Sequence, residues 1–188
     1  MNRYVGVLAP ASAAPLALAM LEDVVDLVAD MTLVRACLVV PEGADPAVAD
    51  VVWPGMPVVA VPDRTLGAAV TALAAIGADE AGVVAADAPD LPALLLGKLH
   101  SALTSAAVAV CPAEDGRLVA VAARVPLAEW AAGVTIDDPL DRLRTAAPRR
   151  ALHVGAGWHR VRTEDDARRL DPGLEGWEHT RALLADRS

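Results

Sequence analysis

The sequence predicts a three-layer α/β fold, in which helices cover both faces of a mostly parallel, mixed sheet. Apolar, β-branched runs alternate with helical segments through the first 110 residues, and strands separated by helices usually pair in parallel. The length of 188 residues suits one domain, residues 1–188. A hydrophobic fraction of 55% is sufficient for a closed core, which Ala, Val and Leu must fill because the chain has no Phe.

Short apolar runs predict the strands, and proline ends the first three of them. Pro10, Pro41 and Pro62 each follow such a run directly, as expected for buried strands bounded by a residue that cannot continue the hydrogen-bond ladder. The predicted strands are residues 4–9, 33–40, 58–61, 82–86, 106–111, 118–123 and 151–154.

Helical spacing of apolar residues and capping signals predict the helices. The clearest is 16–30, where Met20, Val24 and Val28 fall on one face and most of the acidic residues on the other. Gly77, Asp90 and Thr163 are predicted to cap helices, the glycine in a left-handed conformation at a C-terminus. The further helices are 66–76, 91–103, 140–146, 163–170 and 176–185, with one short helix inside the loop 42–57.

Charge and composition argue against several classes of protein. The net charge of -9 repels nucleic acid and anionic membranes, so we expect a small-molecule substrate instead. No apolar run reaches about 18 residues and the N-terminus is a poor signal peptide, so we expect a cytoplasmic protein. Cys37 and Cys111 lie in apolar runs, which favours buried, reduced thiols. The alanine-rich segments would permit a homodimer.

The most informative segment is 83–91, where an apolar strand runs directly into an acid. Ligands of open α/β sheets bind beyond the carboxyl ends of the strands, where Asp87 is expected. A carboxylate there can hold Mg²⁺ or Mn²⁺, and the ion can neutralise a diphosphate. In the alternative interpretation, Asp87 closes a turn and Asp90 caps the next helix.

A second strand, 106–111, runs into Asp115 and Gly116. Asp-Gly is a common signal for a hairpin turn, and this is the alternative interpretation. The order of the two segments, acid after one strand and Asp-Gly after the next, is what favours a functional site.

In that order, the two segments resemble a signature of a bacterial family of GT-A-like transferases often found beside radical-SAM genes. Members of that family read D-C-P-D-L and then P-x-x-D-G-G, and residues 87–91 and 112–116 are similar to these. The helix segment 20–23 and the segment 158–166 extend the similarity, which covers about residues 4–170. A related family is the guanylyltransferase that makes a phospholactate nucleotide for deazaflavin synthesis.

The resemblance implies a GT-A fold that binds a nucleotide or nucleotide sugar as donor at the carboxyl edge of the sheet. It implies a Mg²⁺ or Mn²⁺ ion at Asp87, and acceptor contacts near Asp115. Nucleotide contacts are then expected at Ala9, Pro10, Ser12, Gly116, Arg117, Arg160 and Arg162.

The chain departs from the family pattern at charged positions. The basic motif expected after the first strand is replaced by residues 11–15, which carry no cation, and the second glycine of D-G-G is Arg117. Arg160 and Arg162 stand in this chain at the positions of the paired acids of D-V-D. Either these guanidinium groups bind phosphate in place of the ion, since arginine binds phosphate oxygens bidentately, or the site has decayed and the arginines are solvated.

The sequence therefore supports three functions. The first is a glycosyl- or nucleotidyltransferase acting on a small molecule, the second is a GT-A-like binding or scaffold module without catalysis, and the third is a phospholactate-type guanylyltransferase. His100, His153, His159 and His179 show no metal-ligand spacing and are expected in surface or capping roles.

Overall fold

A seven-stranded sheet forms the centre of the protein in a computed structural model, which describes residues 1–186. The strand order is β3-β2-β1-β4-β6-β5-β7, and β6 alone among them runs antiparallel to its neighbours. The strands are β1 (Arg3–Leu8), β2 (Arg35–Pro41), β3 (Val58–Val61), β4 (Glu80–Ala85), β5 (Val108–Pro112), β6 (Leu118–Arg124) and β7 (Leu152–Val154). The mostly parallel, mixed α/β sheet confirms the predicted fold class.

The helices lie on both faces of this sheet. They are α1 (Pro15–Ala29), α2 (Leu66–Ala75), α3 (Ala93–Ala102), α4 (Glu129–Ala132), α5 (Leu140–Ala146), α6 (Glu164–Ala167) and α7 (Glu178–Asp186), with a 3-10 helix at Pro46–Val51. No helix among residues 1–186 is both long enough and apolar enough to span a bilayer.

The register of the parallel strands places their carboxyl ends side by side. Leu8 of β1 pairs with Val39 of β2 and with Ala85 of β4, so the loops that follow these strands leave from one edge. β5 and β4 both pair antiparallel with β6 and therefore point the same way. The segments that carry Ala9, Asp87 and Asp115 consequently share one edge of the sheet.

Two apolar cores lie on opposite faces of the sheet, as alternating burial of its strand residues requires. A third, smaller cluster joins Met20 of α1, Val161 and Trp177. Asp23 on α1 accepts hydrogen bonds from the backbone amides of His179 (2.8 Å) and Thr180 (2.9 Å). This buried carboxylate fixes the start of α7 against α1.

Several local predictions are confirmed by the structure. Gly77 has φ of 99° after α2, and Thr163 caps α6 in a reciprocal capping box with Asp166. Gly116, with φ of 81°, turns the β5–β6 hairpin, so the hairpin interpretation of Asp-Gly holds. Both cysteines are buried free thiols.

Other local predictions are wrong. Pro92, not Asp90, precedes α3, and no side chain caps that helix, because the Asp90 carboxylate instead faces Trp158 and His159. His100 is buried, at 4% exposure, beside Glu80 rather than at the surface. The helix predicted over 163–170 ends at Ala167.

Candidate functional site

Asp87 and Arg160 form a bidentate ion pair at the carboxyl edge of the sheet. Arg160 donates from Nε to Oδ1 of Asp87 (2.6 Å) and from Nη2 to Oδ2 (3.0 Å). The Arg160 side chain is only 5% exposed and that of Asp87 is 18% exposed. This geometry is the bidentate pairing of a planar guanidinium with a carboxylate, shielded from water.

Backbone contacts explain why the two residues meet. The segment that carries Arg160 crosses the ends of two strands. The Trp158 amide donates to the carbonyl oxygen of Pro112 (3.0 Å), the last residue of β5, and the Val161 amide donates to the carbonyl oxygen of Asp87 (2.7 Å), after β4. Because the segment is extended, Val161 enters an apolar cluster while Arg160 and Arg162 reach the opposite side.

Arg162 joins Asp87 to the Asp-Gly corner. Its Nη1 lies 3.0 Å from Oδ2 of Asp87, and its Nη2 lies 3.9 Å from Oδ2 of Asp115. The side chain of Arg162 is 37% exposed, so water reaches this guanidinium although it does not reach Arg160. The structure thus brings together the two acids and the two arginines that the sequence singled out.

Two further charged residues, Asp137 and Arg64, complete the group, and the sequence analysis missed both. Asp137 Oδ1 accepts from Arg160 Nη1 (3.0 Å), and its Oδ2 lies 4.0 Å from Arg64 Nε. Burial alone raises the pKa of Asp137, but Arg160, Arg64 and Arg162 outweigh it and hold the pKa below the usual 3.8. The carboxylate is therefore ionised near neutral pH.

Arg64 supplies a cation beside the loop after β1, where the sequence analysis expected none. It lies in the loop after β3, whose next two residues, 65 and 66, pair with residues 134 and 135. Its Nη1 donates to the carbonyl oxygen of Ala9 (2.7 Å). The expectation that no cation is available at this loop was wrong, because a neighbouring strand end provides one. A charged residue three positions after a parallel strand is the signal that could have identified Arg64, and the acidic pair 137–138 after an apolar stretch is the signal for Asp137.

We call these six residues the arginine–carboxylate cluster. Its three guanidinium groups and three carboxylates cancel in formal charge; they are Arg64, Arg160, Arg162, Asp87, Asp115 and Asp137. All three guanidinium nitrogens of Arg160 are engaged, since Nη1 also donates to the carbonyl oxygens of Leu118 and Ile136. Arg64 and Arg162, at 31% and 37% side-chain exposure, are the guanidinium groups of the cluster that are open to a ligand.

The cluster does not fit a divalent cation as it is arranged. Both carboxylate oxygens of Asp87 already accept from guanidinium groups, and the positive charge on Arg160 and Arg162 would repel an ion placed there. Among residues 1–186, no three His, Cys, Asp or Glu side chains are grouped so that they could hold a metal ion.

The remaining expected nucleotide contacts lie at varying distances from the cluster. Arg117 Nε is 3.9 Å from Oδ2 of Asp115, on the exposed rim. Ala9 is joined to the cluster through Arg64. The Ser12 hydroxyl accepts from the Ala14 amide (3.1 Å) and so shapes the loop after β1. Neither Pro10 nor Gly116 has a side chain that can donate a hydrogen bond.

Comparisons with known proteins identify the fold. No protein-family model matches the chain, and no curated protein matches it in sequence. A protein of Desulfovibrio desulfuricans G20 classed as a nucleotide-diphospho-sugar transferase is similar, with TM-score 0.67, 18% identity and coverage of 99% of this chain and 98% of that one.

Two mycobacterial structures are also similar. Rv0371c of Mycobacterium tuberculosis H37Rv, in complex with manganese, has TM-score 0.62 and 19% identity over 92% of this chain and 99% of that one. Glucosyl-3-phosphoglycerate synthase of M. tuberculosis, with Mg²⁺ and uridine diphosphate, has TM-score 0.61 and 18% identity over 88% of this chain and 73% of that one. This chain therefore has the fold of the nucleotide-diphospho-sugar transferases.

Proposed function

We propose that this chain binds the diphosphate of a nucleotide or nucleotide sugar at the arginine–carboxylate cluster and transfers a glycosyl or nucleotidyl group to a small molecule. The observation that carries the proposal is the placement of Arg162 and Arg64, two partly exposed guanidinium groups, where the loops after β1 and β4 meet. Ligands of open α/β sheets bind at this edge.

Arg160 has a positioning role in this proposal. Its five contacts with Asp87, Asp137, Leu118 and Ile136 engage all three guanidinium nitrogens and hold the side chain in place. By neutralising Asp87 on one side, it leaves Arg162 as the cation that faces the ligand. The 3.9 Å and 3.5 Å contacts of Arg162 with Asp115 and Asp137 are long, so an incoming phosphate can displace them.

The guanidinium groups would supply the positive charge that stabilises the leaving phosphate. Of the two similar mycobacterial proteins, Rv0371c binds manganese and glucosyl-3-phosphoglycerate synthase binds Mg²⁺ and uridine diphosphate; a divalent ion beside a diphosphate neutralises its charge. In this chain Arg64 and Arg162 would take that part, because arginine matches two phosphate oxygens at once and stays charged at every relevant pH. Asp115 lies at the exposed end of the cluster, where an acceptor can approach.

A second candidate function is a binding or scaffold module that has kept the fold without the chemistry. The observation that favours it is the internal neutralisation of the cluster, in which every guanidinium group already contacts a carboxylate. In that case the ion pairs stabilise the loops, and the ligand of the protein is another macromolecule.

A thermal-shift screen of nucleotides and nucleotide sugars, with EDTA and separately with Mn²⁺, distinguishes the two candidates. The transferase proposal expects at least one compound to raise the Tm in EDTA, and Arg162→Ala to abolish that shift. Arg168→Ala is the matched control, since Arg168 is exposed and forms ion pairs with Glu164 and Asp165 of the adjoining helix α6. No shift with any compound, together with recovery of a protein partner from cells, would support the scaffold.

A further inference from the structure

The Asp90 carboxylate lies outside the arginine–carboxylate cluster and is the most deeply buried acid near it. Its side chain has no exposed surface. Oδ1 accepts from Trp158 Nε1 (3.1 Å) and lies 2.9 Å from His159 Nε2. The His159 ring stacks on Trp158, with centroids 4.9 Å apart, so the indole fixes the position of both partners.

One carboxylate oxygen of Asp90 has no partner. Within the part of the chain that the structure describes, Oδ2 is buried without a hydrogen-bond partner, whereas Oδ1 faces Trp158 Nε1 and His159 Nε2. Buried polar groups without partners are costly. An unsatisfied acceptor beside an imidazole nitrogen suits a hydroxyl group, which donates and accepts at once.

A cavity of about 370 Å³ opens at this pair. It is bordered by His159 and Asp90, and also by Arg160 and by Glu114, the neighbour of Asp115. The cavity therefore adjoins the arginine–carboxylate cluster through Arg160, whose guanidinium belongs to that cluster. Leu170 and Leu174 add apolar walls.

The charge of the cavity wall limits the ligand. Four carboxylates and two guanidinium groups line it, namely Asp90, Glu114, Asp166, Asp171, Arg160 and Arg169. Arg160 is committed to Asp87, and Arg169 lies 3.5 Å from Asp166. The wall is thus acidic, which favours a neutral or cationic ligand and disfavours phosphorylated acids.

We infer that this cavity is the acceptor pocket and that it takes a neutral or cationic alcohol, whose hydroxyl donates to Oδ2 of Asp90 and contacts Nε2 of His159. The assignment of the pocket to an acceptor rests on the proposed transferase function. The binding of an alcohol rests only on the contacts of Asp90 and His159 and on the cavity beside them. It disfavours the phospholactate-type guanylyltransferase, because a phosphorylated carboxylic acid would enter a cavity with more carboxylates than free cations.

Titration of the full chain with glucose, glucosamine and 3-phosphoglycerate, followed by long-range ¹H–¹⁵N NMR of the histidine rings, tests the inference without nucleotide. We expect saturable shifts of the His159 resonances with glucose or glucosamine in the millimolar range, and at least a tenfold weaker response to 3-phosphoglycerate. His159→Gln identifies the resonance and should abolish the binding. His153→Gln, at an exposed position on β7, is the control that leaves it unchanged.

The results separate this inference from the proposed function. A preference for 3-phosphoglycerate, or no saturable response to either sugar, overturns the alcohol pocket even if nucleoside diphosphates bind. A response of His159 to the sugars with no binding of any nucleoside diphosphate leaves the alcohol pocket intact and overturns the transferase.

Discussion

The Arg160 guanidinium is held by both carboxylate oxygens of Asp87, at 2.6 and 3.0 Å, and the pair is almost withdrawn from water. Arg160 therefore neutralises Asp87 from within the protein.

Removing one partner of this pair should destabilise the fold strongly. Arg160→Met leaves the Asp87 and Asp137 carboxylates without their shared cation, and a broken buried pair costs about 3 kcal/mol in the free energy of unfolding. Urea denaturation measures the loss. Asp87→Asn combined with Arg160→Met should recover a large part of it, whereas a loss below ~1 kcal/mol in the single variant would show that the pair is not structural.

Placing acids at the positions of Arg160 and Arg162 should create a metal response. The double variant R160D/R162D places two carboxylates beside Asp87, and oxygen ligands of this kind hold Mn²⁺ or Mg²⁺. We expect a lower Tm than wild type in EDTA, from repulsion among the acids, and a rise of several degrees on adding Mn²⁺. Wild-type protein, whose Asp87 is occupied by guanidinium groups, should show no such rise. A variant indifferent to Mn²⁺ would mean that the edge is not shaped for an ion.

Docking of the last helix should weaken as the pH rises. Burial raises the pKa of Asp23 to about 6, against the hydrogen bonds from Thr180 and His179. Partial burial lowers the pKa of His179, but Asp26, Asp23 and Glu22 outweigh it and the net pKa is raised. Both groups bind protons more tightly in the folded state than in the unfolded state. The contribution of Asp23 to the free energy of unfolding is complete below pH 3.8, and that of His179 below pH 6.5. Each contribution is lost as the pH rises through the raised pKa of the folded state.

His179→Gln isolates this effect. The difference in unfolding free energy from wild type should be about 0.5 kcal/mol at pH 6 and should approach zero at pH 8.5, a small value because the ring is partly exposed. The variant comparison is needed because burial lowers the pKa of His100, which acts in the opposite direction. A difference that does not change with pH contradicts the role of the imidazolium.

Two helix glycines should respond oppositely to alanine. A Cβ on Gly67 of α2 would lie 2.8 Å from the Ala132 carbonyl oxygen of α4, whereas a Cβ on Gly97 of α3 meets no atom within 4 Å. Gly67→Ala should therefore lower stability by about 1–3 kcal/mol through overpacking, and Gly97→Ala should raise it by up to ~1 kcal/mol through helix propensity. Thermal denaturation of the two variants checks both signs; a stabilised Gly67→Ala would refute the close approach of α2 and α4.

The fold could be predicted because its signals are local. Each of the seven strands is an apolar run with a clear boundary, and the pattern of α1 is strongly amphipathic. The short helix α4 was missed because four residues carry too little periodicity. The prediction that Asp90 caps a helix was wrong because its partners, Trp158 and His159, are 68 and 69 positions away and carry no local signal.

The candidate site could be predicted only in part, for the same reason. Asp87 and Asp115 follow strands and so identify the edge of the sheet from sequence alone. Arg64 and Asp137 join them through the pairing of the segment after β3 with residues 134 and 135, a long-range contact that no spacing indicates. The resemblance pointed to Arg160 and Arg162, but their contacts with Asp87 depend on how the segment 158–162 crosses the strand ends.

The most direct test is whether arginines at this edge bind a diphosphate without a divalent ion. Calorimetric titration with UDP, GDP and inorganic pyrophosphate, first in EDTA and then with Mn²⁺, measures this. We predict that at least one of these ligands binds in EDTA, that Mn²⁺ changes its Kd less than threefold, and that Arg162→Ala weakens it at least tenfold while Arg168→Ala does not. Binding that requires Mn²⁺, or that survives Arg162→Ala, would contradict the account.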